Sequence, residues 1–128
     1  MASELSILVL YGLLTVVVML LHVLTATGQV GLAYLATPRD EKRELTGIAG
    51  RGFRCLQNSI VAMALFAPAV LVLAVKDAFS GTTLLAAQAF LVARVIYVVL
   101  YYMGIPWLRT LIWMVGFLAT AWLYLQAM

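Results

Sequence analysis

Four long apolar runs, divided by short polar stretches, set the organisation of the chain. The first, Leu5 to Thr27, carries no charge over more than the roughly 20 residues a helix needs to cross the hydrocarbon layer of a bilayer, and helix is expected to continue toward Ala36. Thr37 and Pro38 stop it. Six consecutive charged residues follow, Arg39 to Glu44, which cannot stay at membrane depth without partners and predict an aqueous loop over 37–49. The second run, 50–75, has Arg51 and Arg54 in its first turns and Pro68 inside it, where a kink is expected. Lys76-Asp77 and Ser80-Gly81 mark a short turn before the third run, 82–102, which is apolar except for Gln88 and Arg94. Gly104-Ile105-Pro106 closes that run ahead of the fourth, 107–125. Short connections predict antiparallel neighbours. The expected fold is therefore all-α: an integral membrane four-helix bundle of up-down topology, filling residues 1–128 as a single domain.

Composition supports this. Of 128 residues, 66% are hydrophobic and 10% charged, against about 45–50% and about 25% in a soluble domain. The net charge of +3 comes from basic residues scattered among apolar segments. They form no continuous stripe, so nucleic acid is not an expected partner. Cys55 is the one cysteine, which excludes an intrachain disulfide. Glu4 and the lack of basic residues in the first six positions argue against a cleaved signal peptide.

Charge distribution also predicts orientation. Arg39, Lys42, Arg43, Arg51, Arg54 and Arg109 flank the first and third connections, while only Lys76 flanks the second. By the positive-inside rule the charged loop and the Gly104–Arg109 turn face the cytoplasm, and both termini lie outside it. Tyr11, Trp107, Trp113 and Tyr124 stand near span ends, where aromatic side chains anchor at the interface.

The polar residues inside the spans are the candidates for chemistry. Arg94 lies twelve residues into the third run, where a charge costs roughly 2.5–3.5 kcal/mol to insert and so needs a carboxylate, carbonyl or ligand beside it. Phe90, Arg94, Tyr97 and Tyr101 follow helical spacing and share one stripe. The tyrosines alone read equally as packing with hydroxyls bonded to nearby carbonyls, whereas Arg94 favours a polar pocket. In the second run Arg51, Arg54 and Asn58 share a face, with Gln57 beside them. Forked guanidinium donors suit carboxylates or phosphates, and arginines at a span end serve as well for topology and headgroup contact. His22 has no second ligand at metal spacing and is read as an interhelical hydrogen-bonding group, so no metal is expected. Metalloprotease, phosphate-loop, nucleophile-base and dinucleotide motifs are absent, and all five acidic residues fall in termini or loops.

Two stretches, Arg51-Gly-Phe-Arg54-Cys-Leu-Gln57-Asn58 and Ala93-Arg94-Val-Ile-Tyr97 through Tyr101 and Pro106 to Arg109 and Trp113, resemble the membrane-associated proteins in eicosanoid and glutathione metabolism, the MAPEG family. The resemblance covers almost the whole chain and is strongest to small bacterial members. It implies a homotrimer of four-helix subunits in a bacterial inner membrane. Glutathione would be the cosubstrate, held between subunits near the cytoplasmic leaflet, and lipophilic substrates would arrive among membrane lipids. Matched residue by residue, Arg51, Arg54, Gln57, Asn58 and Arg94 fall at or beside glutathione-binding positions. Tyr97, Tyr101 and Arg109 fall at or near catalytic ones, although the turn before Arg109 differs in length from the family's. A nearby guanidinium and a tyrosine hydroxyl would favour the thiolate of a thiol whose free pKa is about 8.5.

Two positions depart from the pattern. The family's glutamate three residues after the asparagine is Val61 here, and its histidine-type position before the asparagine is Leu56. The resemblance thus implies a glutathione transferase or peroxidase acting on lipophilic electrophiles or lipid hydroperoxides. Val61 opens the alternative of a non-catalytic MAPEG-fold membrane subunit that binds lipid or a partner protein. A small transporter or channel subunit is disfavoured, because no discontinuous helix or transport repeat is visible.

Overall fold

The computed structural model describes residues 3–38 and 45–128. The expected aqueous loop has its charged residues, 39–44, outside the described residues. Helix α1 covers Glu4–Val30 and is capped by Ser3, whose Oγ accepts from the Ser6 amide at 3.1 Å. Gly31 interrupts it with φ +88°, so the extension toward Ala36 survives only as a single turn, α2, Leu32–Leu35. Helix α3, Gly47–Val75, continues as helix through Pro68. Helix α4, Gly81–Met103, opens on a reciprocal cap. The Thr83 amide donates to Ser80 Oγ at 3.3 Å, and the Ser80 amide donates to Thr83 Oγ1 at 2.7 Å. It closes at Gly104 with φ +76°, a left-handed position that suits glycine. Pro106 then starts α5, Pro106–Ala127, at the position where its missing N–H has no intrahelical partner to lose.

No strand occurs among the described residues, and α1, α3, α4 and α5 are each long and apolar enough to cross a membrane. Their exposed surface is dominated by Leu, Val, Ile, Phe and Trp, as lipid-facing helices require.

The core sits between the helices as an aromatic cluster. Phe66 of α3 stacks on Phe90 of α4 at 4.0 Å between centroids, and Tyr11 of α1 meets Phe90 edge-on at 4.9 Å. Ile7, Ala69, Leu73, Ala87 and Leu123 complete it. Tyr11 is fully buried, with its hydroxyl donating to the Ser59 carbonyl at 2.8 Å. It is a core residue tying α1 to α3 rather than the interfacial anchor its sequence position suggests. A second cluster joins Val18, Cys55, Leu56 and Val98, with Tyr101 and Tyr102 packed against it.

Polar contacts fasten both ends of the bundle. At one end Glu4, which belongs to the first turn of α1 rather than to a free terminus, is 4% exposed and accepts from Thr83 Oγ1 at 2.6 Å. Lys76 Nζ donates to the Ala127 carbonyl at 2.7 Å near that end. In the last turn of α1 the Gln29 side chain makes two bonds to Thr46, the residue that precedes α3, donating to its carbonyl at 3.0 Å and accepting from its amide at 2.7 Å. The end of α1 is thereby tied to the start of α3.

At Gly50, in the first turn of α3, the backbone that leads into the helix packs closely. A Cβ there would stand 2.8 Å from the Leu45 carbonyl oxygen and 3.3 Å from its carbon, both backbone atoms with little room to yield. Gly50→Ala is expected to destabilise by about 1–3 kcal/mol, read as a lower unfolding midpoint in detergent. Gly28→Ala is the matched control. A Cβ at Gly28 meets nothing within 4 Å, so that change is expected to be neutral or to gain about 0.5–1 kcal/mol.

Candidate functional site

Helix α4 carries Arg94, Tyr97 and Tyr101 along one face, α3 brings Asn58 and Ser59 to it, and α5 adds Arg109 and Trp113 from its first two turns. Arg94 is 2% exposed. Its Nη1 donates to Asn58 Oδ1 at 2.9 Å and its Nη2 to Ser59 Oγ at 3.4 Å, while Ser59 Oγ donates onward to the Cys55 carbonyl at 2.8 Å. The guanidinium lies 4.3 Å over the Tyr97 ring. The partner that a buried arginine demands is therefore an amide carbonyl, a hydroxyl and an aromatic face. Its Nε is buried without an acceptor among the described residues. Gly116 of α5 packs beside the side chain, where a Cβ would make ordinary contact with Arg94 Cδ at 3.7 Å.

Arg109 repeats the arrangement one layer along. Its guanidinium lies 4.4 Å over the Tyr101 ring, and Tyr101 meets Tyr97 edge-on at 5.5 Å. The result is a column in which two adjacent rings are flanked by a guanidinium on each side. Each cation is held by the negative face of an aromatic ring and keeps its N–H groups for other acceptors.

A cavity of about 220 Å³ opens on this column, lined by Asn58, Tyr97, Tyr101, Arg109, Thr110 and Trp113. Asn58 and Trp113 also line an adjoining cavity of about 110 Å³ that includes Val61, Arg94 and Phe117. Beyond it, Leu65, Phe117 and Thr120 lead to an apolar space of about 380 Å³ bounded by Tyr124 and Leu125. One groove between α3 and α5 thus grades from cationic and hydroxyl-lined to hydrocarbon-lined. A polar reactant at the Arg109 end and a lipophilic one along the rest would meet near Asn58 and Trp113.

Of the residues singled out from sequence, Asn58, Arg94, Tyr97, Tyr101 and Arg109 come together here. Three do not. The Arg51 side chain packs against the α4–α5 turn, where a Cβ on Gly104 would lie 2.7 Å from its Nη1. Arg54 is exposed and folds back along its own helix, with Nη1 3.2 Å from where a Gly50 Cβ would be, and Gln57 is exposed. The face shared by Arg51, Arg54 and Asn58 divides because only Asn58 lies deep enough to meet α4. Ser59 and Trp113 were missed as site residues. Trp113 stands four residues after Arg109, the spacing that puts two side chains on one helix face, and that signal was available. His22 lies against Phe53 at 5.3 Å, and no group of three or more potential metal ligands occurs among the described residues.

No curated protein and no solved structure matches the chain. A family model does match, over residues 5–128, essentially the whole chain, and its four-helix architecture agrees with the bundle described above. The chain belongs to the MAPEG family.

Proposed function

We propose that the protein is a membrane-bound glutathione transferase or peroxidase acting on lipophilic electrophiles or lipid hydroperoxides. The observation that carries this reading is the cavity in which Arg109, Asn58, Tyr97 and Tyr101 converge beside an apolar groove. Arg109 and the tyrosine hydroxyls favour the glutathione thiolate, the form that attacks. In conjugation the sulfur forms a bond to the electrophilic carbon as the leaving group departs with its electron pair. In peroxide reduction the thiolate attacks the distal peroxide oxygen and releases an alcohol. A second glutathione then displaces water from the sulfenic acid, giving the disulfide and consuming two thiols per hydroperoxide. Asn58 and Arg94 hold the tripeptide's carboxylates, Arg51 reaches it from beside the α4–α5 turn, and the exposed Arg54 and Gln57 of α3 reach it from a neighbouring subunit.

The working unit in this reading is a homotrimer of single 1–128 domains, each an antiparallel bundle in a bacterial inner membrane. Both termini lie outside the cytoplasm, and the Arg109 end lies toward it. Purified protein in detergent should conjugate 1-chloro-2,4-dinitrobenzene or reduce cumene hydroperoxide in a glutathione-dependent manner. Neither activity from folded protein would remove the proposal.

Val61 supports a second reading. It lines the cavity beside Arg94 and contributes no charge there, which fits a non-catalytic subunit whose groove holds lipid or a partner protein. That reading expects copurified lipid in the groove and no thiol-dependent turnover.

A further inference from the structure

The side chains that line the three cavities come from α3, α4 and α5, yet a residue of α1 touches both helices that carry Asn58 and Arg94. Tyr11 is fully buried. Its hydroxyl donates to the Ser59 carbonyl at 2.8 Å, which holds the α3 backbone at the residue next to Asn58. Its ring meets Phe90 edge-on at 4.9 Å and Phe66 at 6.2 Å. Phe90 precedes Arg94 by one turn of α4, and the Arg94 guanidinium interacts electrostatically with the Tyr11 hydroxyl.

Tyr11 therefore acts on both sides of the contact that joins α3 to α4 at the site. That contact is narrow. Arg94 Nη1 donates to Asn58 Oδ1 at 2.9 Å, and the second bond, from Nη2 to Ser59 Oγ, is long at 3.4 Å. A turn of α3 by about 10° carries a side-chain tip about 5 Å from the helix axis through roughly 1 Å. Such a movement takes the Asn58 oxygen out of hydrogen-bonding range of Arg94. Apolar packing alone resists a small rotation weakly, whereas a hydrogen bond to the helix backbone opposes it directly.

We infer that Tyr11 is a positioning residue for cosubstrate binding: its hydroxyl fixes α3 at the rotation in which Asn58 meets Arg94, so the cavity is ordered before glutathione enters. This inference rests on the glutathione reading above. Without the hydroxyl, the paired arrangement becomes one of several that α3 samples. Apparent affinity then falls with the fraction of molecules that hold it.

Tyr11→Phe tests this, because it removes one oxygen and keeps the ring against Phe66 and Phe90. Ile7→Val is the control for lost stability alone: Ile7 lies one turn earlier on α1 and is fully buried in the same core. Equilibrium dialysis of glutathione against the purified full-length proteins in one detergent gives the affinities, with unfolding midpoints recorded alongside. Tyr11→Phe is expected to weaken glutathione binding about three- to tenfold, the size of one net hydrogen bond. Ile7→Val should lower the midpoint and leave binding within threefold of the parent. A Tyr11→Phe protein that binds within threefold of the parent overturns the inference and leaves the glutathione reading in place. Equal weakening by Ile7→Val does the same, since the effect would then be one of general stability. If the parent protein itself binds no glutathione, the glutathione reading fails and takes this inference with it.

Discussion

Replacing Arg109 with methionine is expected to lower the rate of glutathione-dependent turnover by about 10²–10³-fold, the loss typical of removing one charge-stabilising donor from a reaction site. The magnitude follows from what Arg109 faces. Its guanidinium is held 4.4 Å over the Tyr101 ring and lines the cavity beside Asn58 and Tyr97, where a thiolate would gain from a fixed cation beside it. The fold should tolerate the change. Arg109 lies in the first turn of α5 and is half-buried, and loss of its contact with Tyr101 costs about 0.5–1 kcal/mol at most. The diagnostic measurement is the pH-rate profile. Without the guanidinium, the rate should climb with pH toward the free thiol value near 8.5, whereas the parent protein should reach its plateau at lower pH. Arg109→Lys keeps the charge but loses the fork and should fall between them. Equal rates and equal profiles in parent and Arg109→Met would show that Arg109 takes no part in activating the thiol.

The helices were legible in the sequence because each is set by a local property: a long apolar run, or a glycine or proline at its end. The same local rules explain where the reading stopped. Gly31 breaks α1 at a positive φ, and nothing in the apolar pattern around Val30 and Leu32 distinguishes that glycine from Gly28, which α1 passes through as helix. Tyr11 looked like an anchor because it stands near the start of a span, but its role depends on Phe66, Phe90 and the Ser59 carbonyl, which lie on other helices.

The site divides in the same way. Arg94, Tyr97 and Tyr101 were legible as a group because one helix carries them at helical spacing. That Asn58 joins them while Arg54 and Gln57 do not depends on which face of α3 meets α4, and periodicity within α3 alone does not give that. The Arg94 partner illustrates the limit. Burial told that one was required, and only the packing of α3 on α4 identifies it as the Asn58 carbonyl.

Asn58→Leu is expected to destabilise the bundle more than Arg94→Met does, reversing the usual ranking of a large buried residue over a smaller one. Arg94 is 2% exposed, and its guanidinium is held by neutral groups, with Nε already lacking an acceptor among the described residues. Removing Asn58 takes away its best acceptor and leaves a poorly compensated buried charge, at a cost of about 3 kcal/mol. Removing Arg94 instead takes the charge itself out of the membrane interior. Methionine is unbranched and flexible enough to fill much of the space beside Gly116, and the half-buried Asn58 amide borders a cavity that can admit water. Arg94→Met should therefore shift stability by no more than about 1 kcal/mol in either direction. The double variant Asn58→Leu/Arg94→Met should recover most of what Asn58→Leu loses, giving a coupling of about 2 kcal/mol. Unfolding midpoints of the four proteins in one detergent measure this directly. Additive losses, or an Arg94→Met variant less stable than Asn58→Leu, would mean that Arg94 is compensated by an anion from elsewhere, such as the charged loop or a neighbouring subunit. In that case the donor-lined cavity would not be the carboxylate site that its chemistry indicates.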